Sequence, residues 1–428
     1  MAIAPADTST PAGGPPVSSN RAALSIVTSL FFMWGFVTAL NDVLIPHLKS
    51  IFDLNYAKAS LIQFAFFLAY FLFSIPAAQL IDRIGYKRTM VTGVMVMGIG
   101  ALLFLPAAMV PSYPLFLAAL MVLAGGITLL QVAANPYVAV LGPPKTASSR
   151  LNLAQAFNSL GTTIAPLLGG YLILNAAAKS MDALHQMSPE TLQTYRVHEA
   201  ASVKLPYLAI GLALVSLGVL ISTFKLPPLP GAQHHKGESA GSLWQYRQLM
   251  LGVVGIFVYV GAEVSIGSFL INYFSQANIG NISESQAARY LSAYWFCAMV
   301  GRFIGSAILR KVRTGQLLGI AALVACALVC VSMLTTGQVA LWSILLVGLF
   351  NSVMFPSIFT LGIAELGPRT GDGSGLLIMA IVGGALVPLG VGVLADRIGL
   401  QHSFILPAIC YLYIVYYAFR GSKPFVRA

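Results

Sequence analysis

Charge is what this chain has least of. Of its 428 residues only 9% are Asp, Glu, Lys or Arg, where a soluble domain carries about 25%. That shortage excludes a soluble enzyme and a disordered polar chain. Negative charge is the scarcer sign, with 13 acids against 24 basic residues and a formal net charge of +11. Cysteine is scarce as well. The four, Cys297, Cys326, Cys330 and Cys410, all lie inside apolar runs of the second half, which excludes a disulfide-stapled secreted scaffold. Cys326 and Cys330 stand four apart, but no His lies near them and they read as packing residues. The six histidines, His47, His185, His198, His234, His235 and His402, fall in loops or at span ends. None is paired with acids at metal or catalytic spacing, so no enzymatic machinery is visible.

What fills the space is hydrocarbon. Hydrophobic residues make up 57% of the chain, in runs long enough to cross a hydrocarbon core of about 30 Å. Twelve spans are expected, at about 24–45, 59–81, 89–108, 114–136, 152–175, 205–224, 249–272, 287–309, 315–336, 340–363, 374–395 and 402–420. The longest polar interruptions are 176–204 and 225–248, and the second, with Pro227, Pro228, Pro230, His234, His235 and Lys236, divides the spans six and six. The expected fold is an all-α membrane protein of twelve transmembrane helices in two six-helix bundles, 23–224 and 249–420, joined by a linker at 225–248. Residues 1–22 lack a basic stretch before an apolar core and read as a disordered cytoplasmic tail, not a cleaved signal; 421–428 form a short second tail.

An excess of Lys and Arg in a soluble protein would suggest nucleic acid. Here the basic residues sit in short loops between spans. With the N-terminus inside, sixteen fall on the cytoplasmic side and seven outside, which places both termini in the cytoplasm. Span 2 runs into Ile81-Asp82-Arg83-Ile84-Gly85-Tyr86-Lys87-Arg88, and span 8 into Arg310-Lys311-Val312-Arg313. Two parallel six-helix repeats around a central loop describe secondary transporters of the major facilitator type. The loop after span 2 resembles that superfamily's Asp-Arg-x-Gly pattern, with Ala78 where Gly is usual and Tyr86 where a basic residue is common. Asp82 with Arg83 is the expected gate at the cytoplasmic end; the plainer reading is a loop charge pair that fixes topology.

Placed individually, eleven of the acids fall in loops, tails or span ends, and two do not. Asp42 lies toward the outer end of span 1, between Asn41 and Pro46, and Glu263 lies well inside span 7. A carboxylate in the bilayer is costly, faces a cavity and marks an ion or substrate path. Both are therefore expected to serve cation coupling, with Asp42 a candidate sodium ligand and Glu263 also a candidate for sugar hydroxyls. The alternative is that each is neutral or paired and only holds helices together. Arg302, inside span 8, is read as snorkelling to the interface ahead of pairing with either acid.

Amides form a second set. Gln131 and Asn135 in span 4 are four apart, and Gln155 and Asn158 in span 5 three apart, so each pair shares a helix face. Asn152, Gln63, Asn272 and Asn351 add to them. Amides donate and accept together, which suits vicinal hydroxyls; singly they serve as interhelical ties. Trp34, Tyr70, Tyr137, Tyr259, Tyr290, Trp295 and Phe355 offer ring faces to a pyranose or serve as packing.

Asn41-Asp42 with Pro46, Gln131-Val132-Ala133-Ala134-Asn135-Pro136-Tyr137, the run from Arg150 to Ser159, and Tyr259-Val260-Gly261-Ala262-Glu263 together resemble the fucose–galactose–glucose:cation symporter family. The resemblance covers nearly all of 24–420, including Met187-Ser188-Pro189-Glu190. It implies monosaccharide import with a cation in a bacterial inner membrane. In the fucose/proton members the span 1 acid, matching Asp42, works with a second acid in span 4, where this chain has Gln131. The run Gly261 to Ser268 is closer to the glucose/galactose members, some of which resemble sodium-coupled carriers. The expected function is therefore hexose import coupled to a proton or sodium ion, with L-fucose/proton symport and a non-transporting sugar sensor as alternatives. The expected sugar contacts are Gln131, Asn135, Gln155, Asn158, Glu263, Asn272, Asn351, Gln63 and Trp34. No bound cofactor is expected beyond the co-transported ion. The expected partners are a monosaccharide and the bilayer, with no nucleic acid, and the chain is expected to act as a monomer.

Overall fold

The computed structural model describes residues 21–52, 56–110, 112–173, 203–227 and 242–423, with a few positions between 187 and 201. Within the first helix and the start of the second, most side chains from 41 to 60 lie outside the described set. No strand occurs among the described residues. The helices are α1 (Arg21–Phe52), α2 (Tyr56–Met109), α3 (Tyr113–Val140), α4 (Ala147–Ile173), α5 (Lys204–Thr223), α6 (Arg247–Ser275) and α7 (Glu284–Ile308). Then come α8 (Thr314–Leu334), α9 (Gly337–Asn351), α10 (Met354–Gly362), α11 (Thr370–Met379), α12 (Gly383–Ile398), α13 (Leu400–Ser403) and α14 (Ile405–Tyr416).

Ten stretches among the described residues are long and apolar enough to cross a membrane. One of them, Leu61–Met109, has 49 residues, about 73 Å of helix at 1.5 Å per residue, enough for two crossings. It breaks at Gly85, where φ is 80° and ψ 167°. The other helix to place is α4, 27 residues long and more polar than its neighbours. Large apolar side chains lie open on the outside, Leu205 at 73% and Leu334 at 83% exposure. Such a surface would be unfavourable in water and is at ease in hydrocarbon. Pro76, Pro106, Pro136, Pro166 and Pro388 all sit inside helices, which membrane helices tolerate.

The helices pack as two groups. In the first, α2 lies on α3 and α5, and α1 on α4; in the second, α8 lies on α9 and α14, α6 on α10, α12 and α14, and α7 on α9. The groups meet where α4 packs on α7 and α10, and where α2 and α3 pack on α11. Polar side chains stitch this seam. Ser148 Oγ is 2.9 Å from Thr314 Oγ1 and 2.6 Å from Thr360 Oγ1, and Ser149 Oγ donates to the Ser306 carbonyl at 2.7 Å. Ser374 Oγ donates to the Val132 carbonyl, also at 2.7 Å. All of these contacts lie at the end that carries the loops around Lys145, Arg310 and Arg369, so the groups are closed together there.

Basic residues at that end also complete helix termini. The last carbonyls of a helix lack intrahelical partners and carry partial negative charge. Arg150 donates to the carbonyls of Val138 at 3.2 Å, Pro143 at 2.9 Å and Gly142 at 3.1 Å, closing the end of α3. Burial pulls its guanidinium down to about 10, which leaves it charged at neutral pH. Lys87 Nζ donates to the Ser222 carbonyl at the end of α5, at 2.8 Å.

Candidate functional site

Two buried polar clusters face each other where the groups meet. In the first, α2 supplies Tyr70, α3 supplies Gln131 and Asn135, and α4 supplies Gln155, Asn158 and Ser159, all of them buried. Gln131 Nε2 donates to the Tyr70 hydroxyl at 2.7 Å, and Gln155 Nε2 donates to Asn135 Oδ1 at 3.3 Å. Asn158 is used differently. Its Nδ2 donates to the Phe31 carbonyl on α1 at 3.0 Å, at a crossing so close that a Cβ on Gly35 would lie 2.2 Å from the Asn158 carbonyl oxygen. The amide of Asn158 thus ties α1 to α4.

In the second cluster Tyr259 and Glu263 stand one turn apart on α6. The Tyr259 hydroxyl donates to the Asn351 carbonyl at 3.0 Å, and Asn351 Nδ2 donates to the Tyr294 hydroxyl at 2.9 Å. Glu263 faces the Tyr259 hydroxyl and the Arg302 guanidinium. Arg302 is the bridge between clusters. It belongs to α7, yet its guanidinium donates across the seam to the Gln155 carbonyl at 3.2 Å and to the Ser159 hydroxyl. Asn152 Nδ2 returns a bond to the Arg302 carbonyl at 2.7 Å. The snorkelling expected from sequence does not occur, because interior acceptors on α4 and the carboxylate of Glu263 outcompete a reach to the interface.

Several polar atoms along this path are buried without a hydrogen-bond partner: the donors Asn135 Nδ2 and Arg302 Nε, and the acceptors Glu263 Oε1 and Asn351 Oδ1. Each such group costs about 1–3 kcal/mol if left unsatisfied. A cluster of unused donors and acceptors around a carboxylate, a guanidinium and amides is matched by a ligand rich in hydroxyls.

Trp34, Gln63 and Asn272 form no hydrogen bond with this path. Trp34 is buried with its ring centroid 4.3 Å from that of Phe31. Gln63 is half-buried on α2, two turns before Tyr70, and Asn272 is exposed near the end of α6. The side chain of Asp42 lies outside the described residues, although its backbone is part of α1. Asp82 is half-buried and Arg83 exposed; Asp82 and Asp372, the latter in the first turn of α11, both bear on the buried Tyr86 phenol. Two tyrosines read as ring platforms, Tyr70 and Tyr259, work through their hydroxyls, while Tyr137 donates to the Pro227 carbonyl at 3.0 Å. Tyr294, Ser159 and the bridging role of Arg302 were missed. The available signal was that Arg302 is the one basic residue well inside a span rather than at its end. A separate cleft of about 470 Å³, lined by Gln286, Arg289, Tyr290 and Trp342 among others, shares no residue with this path.

Two groups of apolar helices, closed at one end around a polar interior, define a helical membrane carrier rather than an enzyme or a structural bundle. The chain belongs to the Major Facilitator Superfamily, whose model matches residues 26–388. It is 52% identical over 402 residues to the glucose/galactose transporter of Brucella abortus biovar 1 (strain 9-941), covering 94% of each chain. It is 37% identical over 402 residues to the L-fucose-proton symporter of Escherichia coli (strain K12), covering 92% of each. The crystal structure of FucP, a major facilitator transporter in the outward conformation, superposes with a TM-score of 0.87 at 37% identity, covering 94% of this chain and 98% of that one. The family consists of transporters, so this chain is a multi-pass membrane transporter and not an enzyme.

Proposed function

We propose that this protein imports a hexose of the glucose/galactose type together with a cation, by alternating access. The observation that carries the reading is the path of buried and half-buried polar groups from Asn135 through Gln155 and Arg302 to Glu263 and Asn351, with unused donors and acceptors on both sides of the seam. A hexose between the two groups satisfies those atoms at once and draws the groups together. The glucose/galactose transporters named above support the substrate class. Gln131, which donates its amide to Tyr70, stands where a second acid would favour plain fucose/proton symport.

The cation acts on the two intramembrane acids, Asp42 and Glu263. A bare carboxylate opposes closure of the cavity around it, and a bound proton or sodium ion removes that penalty. Only the neutral, loaded carrier then reorients at low cost. We take the loops rich in Lys and Arg as the cytoplasmic side of a bacterial inner membrane, with both termini in the cytoplasm. With the seam closed at that end, the protein stands in its outward-facing state. A single chain contains the whole path, and we assign the monomer as the working unit.

Uptake into proteoliposomes under separate proton and sodium gradients, across glucose, galactose and fucose, tests this. Accumulation of glucose or galactose above equilibrium under one gradient is the expected result. Accumulation of fucose alone would return the substrate to the fucose/proton class. Binding of sugar with no flux under either gradient would make the protein a sensor and refute import.

A further inference from the structure

The cleft of about 470 Å³ that stands apart from the polar path lies in the groove between α7 and α9, at the end away from the basic loops. From α7 come Gln286, Arg289, Tyr290 and Ala293, which share one stripe of that helix at spacings of three and four. From α9 come Trp342 and Leu345, three apart. The Tyr290 ring packs edge-on against Phe274, 5.6 Å between centroids, and against Trp342, 6.1 Å, so this wall is fixed by packing.

The cleft does not open on the seam. Met299, Arg302, Phe303 and Ser306 mark the face of α7 that meets α4, through contacts with Thr163, Ser159, Phe157 and Ser149. At 3.6 residues per turn, Ala293 stands about 130° round the helix from the middle of that face. Toward the basic-loop end the stripe continues through Phe296, Val300 and Ile304, and the α9 side through Leu346 and Phe350. Phe296 and Ile304 are about half exposed, at 51% and 50%. The groove below the cleft is therefore an apolar channel open to hydrocarbon.

The head of the groove has the opposite character. It offers the Arg289 guanidinium, the Gln286 amide, the Tyr290 hydroxyl and the Trp342 indole N–H as donors. Among the described residues none of these side chains makes a hydrogen bond, and no acid lines the cleft. A phosphodiester accepts hydrogen bonds without donating any, keeps its negative charge and, in a phospholipid, carries apolar chains. It matches both halves of this groove. A monosaccharide has no counterpart for the apolar run.

We propose that the cleft is a binding site for an anionic phospholipid. Arg289 and Gln286 hold its phosphate, Tyr290 and Trp342 stand at headgroup level, and one acyl chain lies along the groove between α7 and α9. Deeper between the same two helices, Asn351 donates to the Tyr294 hydroxyl at 2.9 Å, so the lipid braces the helix pair that carries the second polar cluster.

The test is native mass spectrometry of the full chain with phosphatidylglycerol and phosphatidylcholine of identical acyl chains, supplied in equal amounts. Photocrosslinking in nanodiscs with a phosphatidylglycerol bearing a diazirine near its head gives the location. Phosphatidylglycerol should be retained at least fivefold over phosphatidylcholine, and the crosslinks should map to peptides holding 286–293 and 342–346. Arg289→Gln should lower that retention about fivefold, the worth of one cation near a lipid headgroup. Arg289 is exposed, so the variant should keep the parent's thermal midpoint in lipid-free detergent. Added phosphatidylglycerol should raise the midpoint of the parent and not of the variant. Equal retention of the two lipids, or crosslinks spread evenly over exposed faces such as that of Leu334, overturns the proposal. A loss in Arg289→Lys as large as in Arg289→Gln overturns the charge contact with phosphate. Displacement of the lipid by millimolar inorganic phosphate would make the cleft a free-anion site and overturn it as well.

Discussion

Replacing Arg302 by Gln should loosen the closed end of the protein by an amount the structure lets us work out. Two bonds from this guanidinium cross the seam, to the Gln155 carbonyl and the Ser159 hydroxyl. Hydrogen bonds from charged donors contribute about 1.5–3 kcal/mol each. Taking the lower value for both gives about 3 kcal/mol, and at about 1.4 kcal/mol per tenfold that is roughly a 100-fold shift toward the state open at the basic-loop end. The substitution also strips Glu263 of the cation it faces. Removing one member of such a buried arrangement costs more than removing both. Ser149→Cys provides the assay, because Ser149 is buried at the seam against Ser306 and is reached by a thiol reagent only when the seam opens. Labelling rates should rise steeply with Arg302→Gln. In the background of Glu263→Gln the same change should have a different effect, with a coupling of at least about 1 kcal/mol in the double-mutant cycle. Unchanged labelling would refute Arg302 as a tie across the seam. Additive effects would refute the link between Arg302 and Glu263.

Asp42→Asn should abolish uphill uptake while leaving sugar exchange between pre-loaded vesicle compartments, and concentration of sugar against a gradient by this variant would remove Asp42 from coupling. Gln131→Glu can keep the contact with Tyr70 by accepting a hydrogen bond from its hydroxyl, whose oxygen is 2.7 Å from the Gln131 amide nitrogen; uptake should become more dependent on a proton gradient, and an unaltered pH profile would count against a cation-coupling role for this position. Gly35→Ala would place a methyl 2.2 Å from the Asn158 carbonyl oxygen. Overpacking of this kind costs about 1–3 kcal/mol, so the thermal midpoint in detergent should fall, and an unchanged midpoint would mean that α1 and α4 separate freely.

Much of the architecture could be read along the chain. Apolar runs of membrane-crossing length with few charges leave little choice of fold, because an unpaired backbone in hydrocarbon must close its hydrogen bonds locally as helix. The break at Gly85 was legible as a turn in the basic motif around Asp82. The internal polar residues were legible too: Gln131, Asn135, Gln155 and Glu263 stand out against apolar surroundings, and all lie on or beside the polar path. What each one does was not legible. Asn158 looked equivalent to Gln155 at three residues' distance, yet its amide is spent on the α1 backbone.

The sequence by itself determined the class, since hydropathy acts locally along the chain and needs no knowledge of which helix meets which. It also determined which acids are out of place, because desolvation penalises a carboxylate in any apolar span. Only the tertiary structure decided partnership. Arg302 and Gln155 are 147 positions apart. Whether Arg302 reaches for the interface or for Glu263 and α4 depends on acceptors supplied by other helices. That distance collapses only when the two groups of helices pack, so the bonds of Arg302 across the seam are a property of the folded chain and not of any segment in it.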